Sequence, residues 1–343
     1  MWTGPSGDDV STDDAVAVPL TGGAARRRST GPNRRTATSQ RNRFAALMLT
    51  PALLGMLIFF VYPLAATLIF SFTRFDLVSS PQWVGLRNYR YFLHEDPMVW
   101  QAIRNTLWLT VVMVPARLLF GLACAGIVTS VKTGAGVLRT LYYLPALAPP
   151  VATTVAFVFL FNPATGPVNT ALGWVGIDGP LWFNSTAWAK PSLVLLGLWG
   201  VGDLMIILMA SLLDVPKDQY EAASLDGANG PQRFRYVTLP NISPVLLFAV
   251  ITGVINMLKY FTEAVVAAQV ASGRANQGEG TATTLGYPSG STLTFSQWVY
   301  QEGFTNFYLG YASALGVIMF LATIGFIVLL LRRSKSFVEG ATS

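Results

Sequence analysis

The chain has 343 residues, 52% hydrophobic and only 12% charged. Average globular domains carry about 25% charged residues, so an ordinary soluble domain is excluded and much of this chain is solvated by lipid. A net charge of +6 would raise nucleic acid as a partner for a soluble protein, but seven arginines fall within the first 43 residues and read instead as a topology signal. The single Cys124 lies in an apolar run, where a small buried residue is the sensible reading. Neither a zinc-ligand cluster nor the phosphate-loop pattern G-x-x-x-x-G-K-[ST] occurs, so energy must arrive through another chain or an ion gradient.

Residues 1–43 are rich in Gly, Ser, Thr, Asp and Arg, acidic first and basic later. Such a segment buries too little apolar surface to offset its chain entropy, and we expect a disordered tail. The apolar run that follows is too long for a signal peptide and lacks a small-residue cleavage site. Six apolar stretches, near 44–73, 102–130, 138–162, 190–213, 244–271 and 308–331, each reach the roughly 20 residues of a membrane span. The expectation is an all-α polytopic protein with a membrane domain over 44–335 and a short tail at 336–343. Prolines at 51, 63, 115, 145, 149 and 150 put kinks in the first three spans, which neighbouring helices can tolerate. Gly121, Ala123 and Ala125, and Gly310, Ala312 and Ala314, suit close helix packing.

Lys and Arg in the connections set the orientation. With the tail inside, the inner segments hold fifteen, while the outer ones hold four: Arg74, Arg87, Arg90 and Arg274. Both termini and the 214–243 loop are therefore expected in the cytoplasm. His94 reads as a surface histidine, Lys190 as a snorkelling side chain, and Asn184-Ser185-Thr186 as a short glycosylation-type match.

Four charges lie near mid-span: Arg117, Asp203, Lys259 and Glu263. A charge at bilayer depth usually faces a cavity or a partner. Asn256, Lys259, Tyr260 and Glu263 follow i, i+3, i+4, i+7 spacing and form one polar stripe, with Lys259 and Glu263 able to meet on one face. Trp199 and Asp203 are likewise one turn apart. These residues either line a passage and bind a hydroxyl-rich solute or form interhelical bonds alone; Arg117 is read as structural. The balance of charges favours a neutral sugar over a phosphorylated one.

The one long polar interruption with clear internal design is 214–244. Pro216 suits the first position of a helix. Tyr220, Ala223 and Ser224 share a face, and Asp226-Gly227 breaks the helix. A second helix can start at Pro231, capped by Asn229 or Gly230, present Phe234 and Val237, and end at Leu239-Pro240. The order Glu221-Ala222-Ala223, Asp226-Gly227, Val237-Thr238-Leu239-Pro240 resembles the "EAA loop" of binding-protein-dependent ABC importer permeases, with Val237 where Ile is usual. Gly85-Leu86-Arg87-Asn88-Tyr89, Asn105-Thr106-Leu107, Leu144-Pro145, Gly166-Pro167-Val168-Asn169 and Gly310-Tyr311-Ala312-Ser313-Ala314 are similar to segments of sugar permeases of the maltose and glycerol-phosphate type, first subunit. The usual Thr-x-Gly-Gly-Pro after the fifth span is missing, and 272–307 looks like a long outer loop.

The resemblance implies the type I ABC importer permease fold, in a bacterial cytoplasmic membrane. It implies a second permease subunit, two ABC ATPase subunits that use ATP and Mg, and an extracellular or periplasmic sugar-binding protein. This chain would bind no cofactor or metal and catalyse nothing. Glu221, Ala222, Ala223, Asp226, Gly227, Leu239 and Pro240 would couple to the ATPase. Trp199, Asp203, Asn256, Lys259, Tyr260 and Glu263 are the pathway candidates. An ion-coupled secondary transporter using Asp203 or Glu263, and a membrane scaffold recruiting a cytoplasmic partner, are the alternatives.

Overall fold

The computed structural model describes residues 46–131, 133–273 and 284–339, the side chains as far as 332. The tail 1–43, Lys132, most of the segment where Gly-Gly-Pro is missing (274–283) and 340–343 lie outside the described residues. The chain divides into two bodies, Met1–Val61 and Tyr62–Ser343.

In the first body, residues 46–61 begin helix α1 (Ala46–Phe70), which is long and apolar enough to cross a membrane. Its Leu57–Val61 stretch widens into a π-helical turn. Pro63 explains this: its ring lacks a donor and collides with the preceding turn of a regular helix, and the wider turn gives it room.

The second body is built on α3 (Pro97–Ser130). Before it come a two-residue hairpin, β1 (Thr73–Arg74) antiparallel to β2 (Gln82–Trp83), and α2 (Arg87–His94). Asp96 caps α3 by accepting from Met98 N at 2.9 Å and Val99 N at 3.1 Å, with Pro97 at the first position, where no donor is needed. Gly121 lets another helix approach: a Cβ there would lie 3.3 Å from Val201 Cγ2. Cys124, Ala125, Val128, Met205, Leu208 and Met209 fill that contact.

Two of the expected spans are bent pairs. α4 (Ala135–Tyr143), carried on to Leu147 by a 3-10 turn, meets α5 (Pro150–Leu160) at 98°. Ala148 and Pro149, each followed by proline, are extended there, because a proline ring disfavours helical backbone in the residue before it. α6 (Pro167–Trp174) follows, and then α7 (Ala189–Trp199) meets α8 (Gly202–Leu213) at 53°. α9 (Lys217–Leu225) precedes α10 (Gly230–Leu258), α11 (Thr262–Ala271), α12 (Phe295–Tyr300) and the closing α13 (Leu309–Glu339), whose first part packs on the Tyr62–Phe70 part of α1. Among the described residues four helices can span a membrane, or six elements if each bent pair is one span.

The expected fifth span, 244–271, is not one helix. α10 starts fourteen residues earlier and stops at Leu258; Lys259–Phe261 break the rod. The segment from 284 onward accounts for the break. Thr294 Oγ1 donates to Tyr260 O at 2.8 Å and Ser296 Oγ to Leu258 O at 2.9 Å, serving carbonyls that a continuous helix would have used. Asn105 Nδ2 donates to Gly290 O and Leu293 O, and Phe295 N to Thr106 Oγ1. What the sequence presents as a long outer loop is therefore folded into the bundle, with Leu293, Thr294, Phe295 and Gln297 buried.

Candidate functional site

The 214–243 stretch forms the expected helix, bend, helix. Pro216 takes the cap of α9 rather than its first position. Gly227, at φ +78°, makes the bend, a backbone shape open to glycine and costly to most side chains. Asn229 and Gln232 then cap α10 reciprocally: Asn229 N donates to Gln232 Oε1 at 2.8 Å and Gln232 N to Asn229 Oδ1 at 3.0 Å. The second helix does not end at Leu239-Pro240. A π-helical turn over Phe234–Thr238 makes room for the Pro240 ring, and the helix runs on to Leu258.

Three polar contacts brace α9 against α10. Tyr220 OH and Thr238 Oγ1 are 2.8 Å apart, Arg233 Nη1 donates to Ser224 Oγ at 3.1 Å, and Asn241 Nδ2 to Gln219 Oε1 at 2.7 Å. No residue of α9 is buried, and Leu225 is 90% exposed. A groove of about 500 Å³ runs between Tyr220, Glu221, Ser224, Leu225 and Arg233. Glu221, Ala222 and Asp226 are exposed, Ala223 half-buried, and neither carboxylate is ion-paired among the described residues. A nine-residue helix is marginal by itself, so this one presents a surface it does not use internally.

The interior candidates divide between two hollows. Asp203 and Asn256 border one of about 90 Å³; Tyr260 and Glu263 border another of about 210 Å³. Arg117 lies in the wall of both, its Nη2 3.5 Å from Asp203 Oδ1 and donating to Gly200 O at 3.2 Å. That is the ion pair found among the described residues, and it sits at the α7/α8 bend. The expected Lys259–Glu263 pair is not formed, because the helix stops between them; Lys259 is exposed and borders neither hollow. Trp199 and Asp203 are separated by the bend at Gly200–Val201, and Trp199 packs on Phe157 at 5.8 Å between ring centres. The Tyr260 hydroxyl is buried with no hydrogen-bond partner. Leaving such a group unserved costs about 1–3 kcal/mol, and it borders the hollow that holds Glu263.

Lys190 turns inward: its Nζ donates to Asn105 Oδ1 at 3.2 Å and lies 5.2 Å from the Trp108 ring centre. Asn184 donates to Ala271 O and Tyr287 OH, so the glycosylation-type match is a structural contact. Sequence reading missed a cluster at the start of α3. Asp96 Oδ2 accepts from Trp298 Nε1 at 2.8 Å and from Tyr311 OH, and buried Glu302 accepts from Asn306 Nδ2 at 3.0 Å. Burial, with the Asp96 charge adding to it, raises the Glu302 carboxyl to about 7. Only the Asp96-Pro97 helix start was readable in advance.

The family described as "Binding-protein-dependent transport system inner membrane component" matches residues 117–334. The chain is similar to YesP of Bacillus subtilis, by name an ABC transporter permease, at 35% identity over 84% of this chain and 89% of that one. It is 30% identical to SmoG of Agrobacterium fabrum, a sulfoquinovosyl glycerol transport system permease protein, over 80% of this chain and 85% of that one. A chain in the crystal structure of a bacterial alginate ABC transporter, in complex with its alginate pentasaccharide-bound periplasmic protein, superposes with a TM-score of 0.73. It covers 89% of this chain and 99% of that chain at 20% identity, a likeness of fold.

Proposed function

This chain belongs to the family of binding-protein-dependent transport system inner-membrane components, and from that premise we propose that it is one of two permease subunits of an ATP-driven sugar importer. It is a transport component and carries out no bond chemistry. On this reading a second permease completes the passage, two ABC ATPase subunits bind and use ATP and Mg on the cytoplasmic side, and a sugar-binding protein delivers the solute outside. Both termini and the 214–243 loop face the cytoplasm, and nucleic acid plays no part. SmoG, named for the transport of a sugar conjugate, supports the sugar class.

The observation that carries the coupling role is α9, a helix with no buried residue, held at a glycine bend and braced to a helix that runs on into the bundle. α10 counts 29 residues, which at 1.5 Å per residue makes a rod of roughly 43 Å. A push on residues 230–238 is thereby delivered to Asn256, near the rod's far end. The breaks at Gly200–Val201 and Lys259–Phe261 are the places where the bundle can bend while its helices move as rigid bodies. Glu221 and Asp226 supply charge to the ATPase surface; Ala222, Ala223 and Gly227 allow close approach; Leu239 and Pro240 lie where the rod enters the bundle.

In the passage, Asn256, Tyr260, Glu263 and Asp203 offer a sugar hydrogen bonds and Trp199 an aromatic face. Both hollows are smaller than the roughly 300–1,000 Å³ of a typical ligand pocket, as expected where half of the wall comes from another chain. Asn256→Ala and Tyr260→Ala, made singly, test the assignment. Each should cut uptake at least tenfold while the complex assembles normally; unchanged uptake in an intact complex removes that residue from the site.

A further inference from the structure

A hollow of about 790 Å³ in the second body is not used by the passage or the coupling helix. It lies at the end opposite the 217–238 knob, and Arg74, Arg87, Arg90, Tyr91, Glu302 and Tyr308 are among its walls. The walls are built, not draped. Asn88 Nδ2 donates to both Ser71 O and Thr73 O at 2.9 Å, and Gly310 N donates to Phe75 O at 3.1 Å. A Cβ on Gly310 would overlap the Thr73 carbonyl oxygen, so this close approach requires glycine. Next to the hollow, the Asp96, Trp298 and Tyr311 cluster ties α3 to α12 and α13.

The charge here runs against the rest of the chain. Outward segments of membrane proteins are poor in Lys and Arg. Yet every described one outside the spans at this end, Arg74, Arg87 and Arg90, lines this one hollow. None is ion-paired among the described residues. The Asp76 carboxylate is held by its own turn, accepting from Ser79 N, Ser79 Oγ and Val78 N. Glu302 is 94% buried and bonded through Oε1 to Asn306. Glu95 remains as the one acid lining the hollow that is neither buried nor held, against three guanidinium groups. Leu86 and Tyr308 stand exposed in its walls, and Trp83 and Phe307, next to wall residues in the chain, are exposed too, Phe307 in the left-handed backbone region at φ +57°. Arginine with exposed aromatics is the composition enriched where proteins anchor one another, whereas a small anion would need the arginines alone.

We propose that this hollow is a docking socket for a loop of the extracellular sugar-binding protein that carries Asp or Glu side chains, held by Arg74, Arg87 and Arg90 in paired charge-assisted hydrogen bonds. The proposal rests on the importer reading, and names where and by what chemistry the partner is held. The aromatic rim packs on the apolar flanks of that loop. The Asp96 cluster relays its docking to α3, the helix that carries Arg117.

The test uses the complete importer in neutral-lipid vesicles with its binding protein, measuring ATPase activity with and without it. Arg87→Glu with Arg90→Glu should raise the binding-protein concentration for half-maximal stimulation about a hundredfold, leave basal ATPase unchanged, and be partly rescued by an acidic-to-lysine change on the binding protein. Arg87→Lys should lose far less, which guards against misfolding as the cause. Wild-type stimulation at unchanged concentrations in the double variant overturns the socket while leaving the importer reading intact. A wild-type complex that no binding protein stimulates overturns the importer reading itself. A basal activity that depends on anionic lipid, and loses that dependence in the double variant with stimulation intact, overturns the protein partner in favour of a lipid headgroup.

Discussion

Replacing Gly227 by asparagine, alanine and aspartate separates the geometry of the bend from contact with a second protein. At φ +78° the residue lies in the left-handed region, where an L side chain costs about 1–2 kcal/mol and asparagine or aspartate less. A Cβ at 227 meets nothing within 4 Å inside the chain, so no collision adds to that cost. The bend is closed by Gly227 N on Ser224 O at 3.1 Å and Ala228 N on Ala223 O at 2.9 Å, bonds that any of the three substitutes can keep. Gly227→Ala should therefore fray α9 and lower ATP-driven uptake about five- to thirtyfold at most, the population factor for 1–2 kcal/mol. Asparagine and aspartate have one shape and both tolerate this backbone. Aspartate adds a negative charge beside Asp226 and past the C-terminal end of α9, which costs up to about 1 kcal/mol; a larger difference must come from a surface that residue 227 rests against. We expect Gly227→Asn to keep most uptake and Gly227→Asp to lose it at least a hundredfold, with membrane insertion equal in both. The assay is uptake into inside-out or reconstituted vesicles, normalised to inserted protein, with co-purification of the ATPase alongside. Equal uptake by the two variants would refute the claim that this bend lies against another protein.

Three further outcomes follow from individual contacts. Arg117 and Asp203 are 3.5 Å apart and Asp203 is 66% exposed, so a double-mutant cycle with alanine should give a coupling below about 1 kcal/mol in thermal unfolding of the complex; a larger value would mean the pair is enclosed on assembly. Glu302 holds its proton more tightly when folded, at about 7 against an ordinary 4.5. Its contribution to stability is complete below pH 4.5 and is lost as pH rises through 7, on the order of 3 kcal/mol in all. Unfolding scans from pH 4.5 to 8 should show that slope, and Glu302→Gln should remove it. Gly310→Ala should lower the unfolding midpoint by several degrees by forcing α13 away from Thr73, and an unchanged midpoint would show the approach to be loose.

The parts legible in the sequence are those set by local chemistry. Asp226-Gly227 fixes a bend because only the backbone at 227 decides it, and the Asn229–Gln232 cap is a matter of four consecutive residues. Apolar length placed α1, the end of α3 and the start of α13 within a few residues. The failures occur where a distant segment supplies hydrogen bonds. Nothing near Lys259 announces that α10 stops there; the reason is Thr294 and Ser296, more than thirty residues on, which serve the carbonyls of Tyr260 and Leu258. With the helix broken, i, i+4 spacing no longer brings Lys259 to Glu263. Lys190 was misjudged in the same way, since its partner Asn105 is 85 residues away. Pro240 reads as a stop because a regular turn cannot carry it, and the π-helical turn before it is a remedy that residue types alone do not disclose.

The most direct test of the account places single cysteines at Glu221, Leu225 and, as a control, Val111, and cross-links each in the assembled importer with and without ATP. We expect Glu221→Cys and Leu225→Cys to join to the ATPase subunit, and to do so at different rates in the two nucleotide states. Val111→Cys should not. If purified chain alone moved sugar on an ion gradient, with positions 221 and 225 joined to nothing, the coupling role assigned to α9 would be wrong.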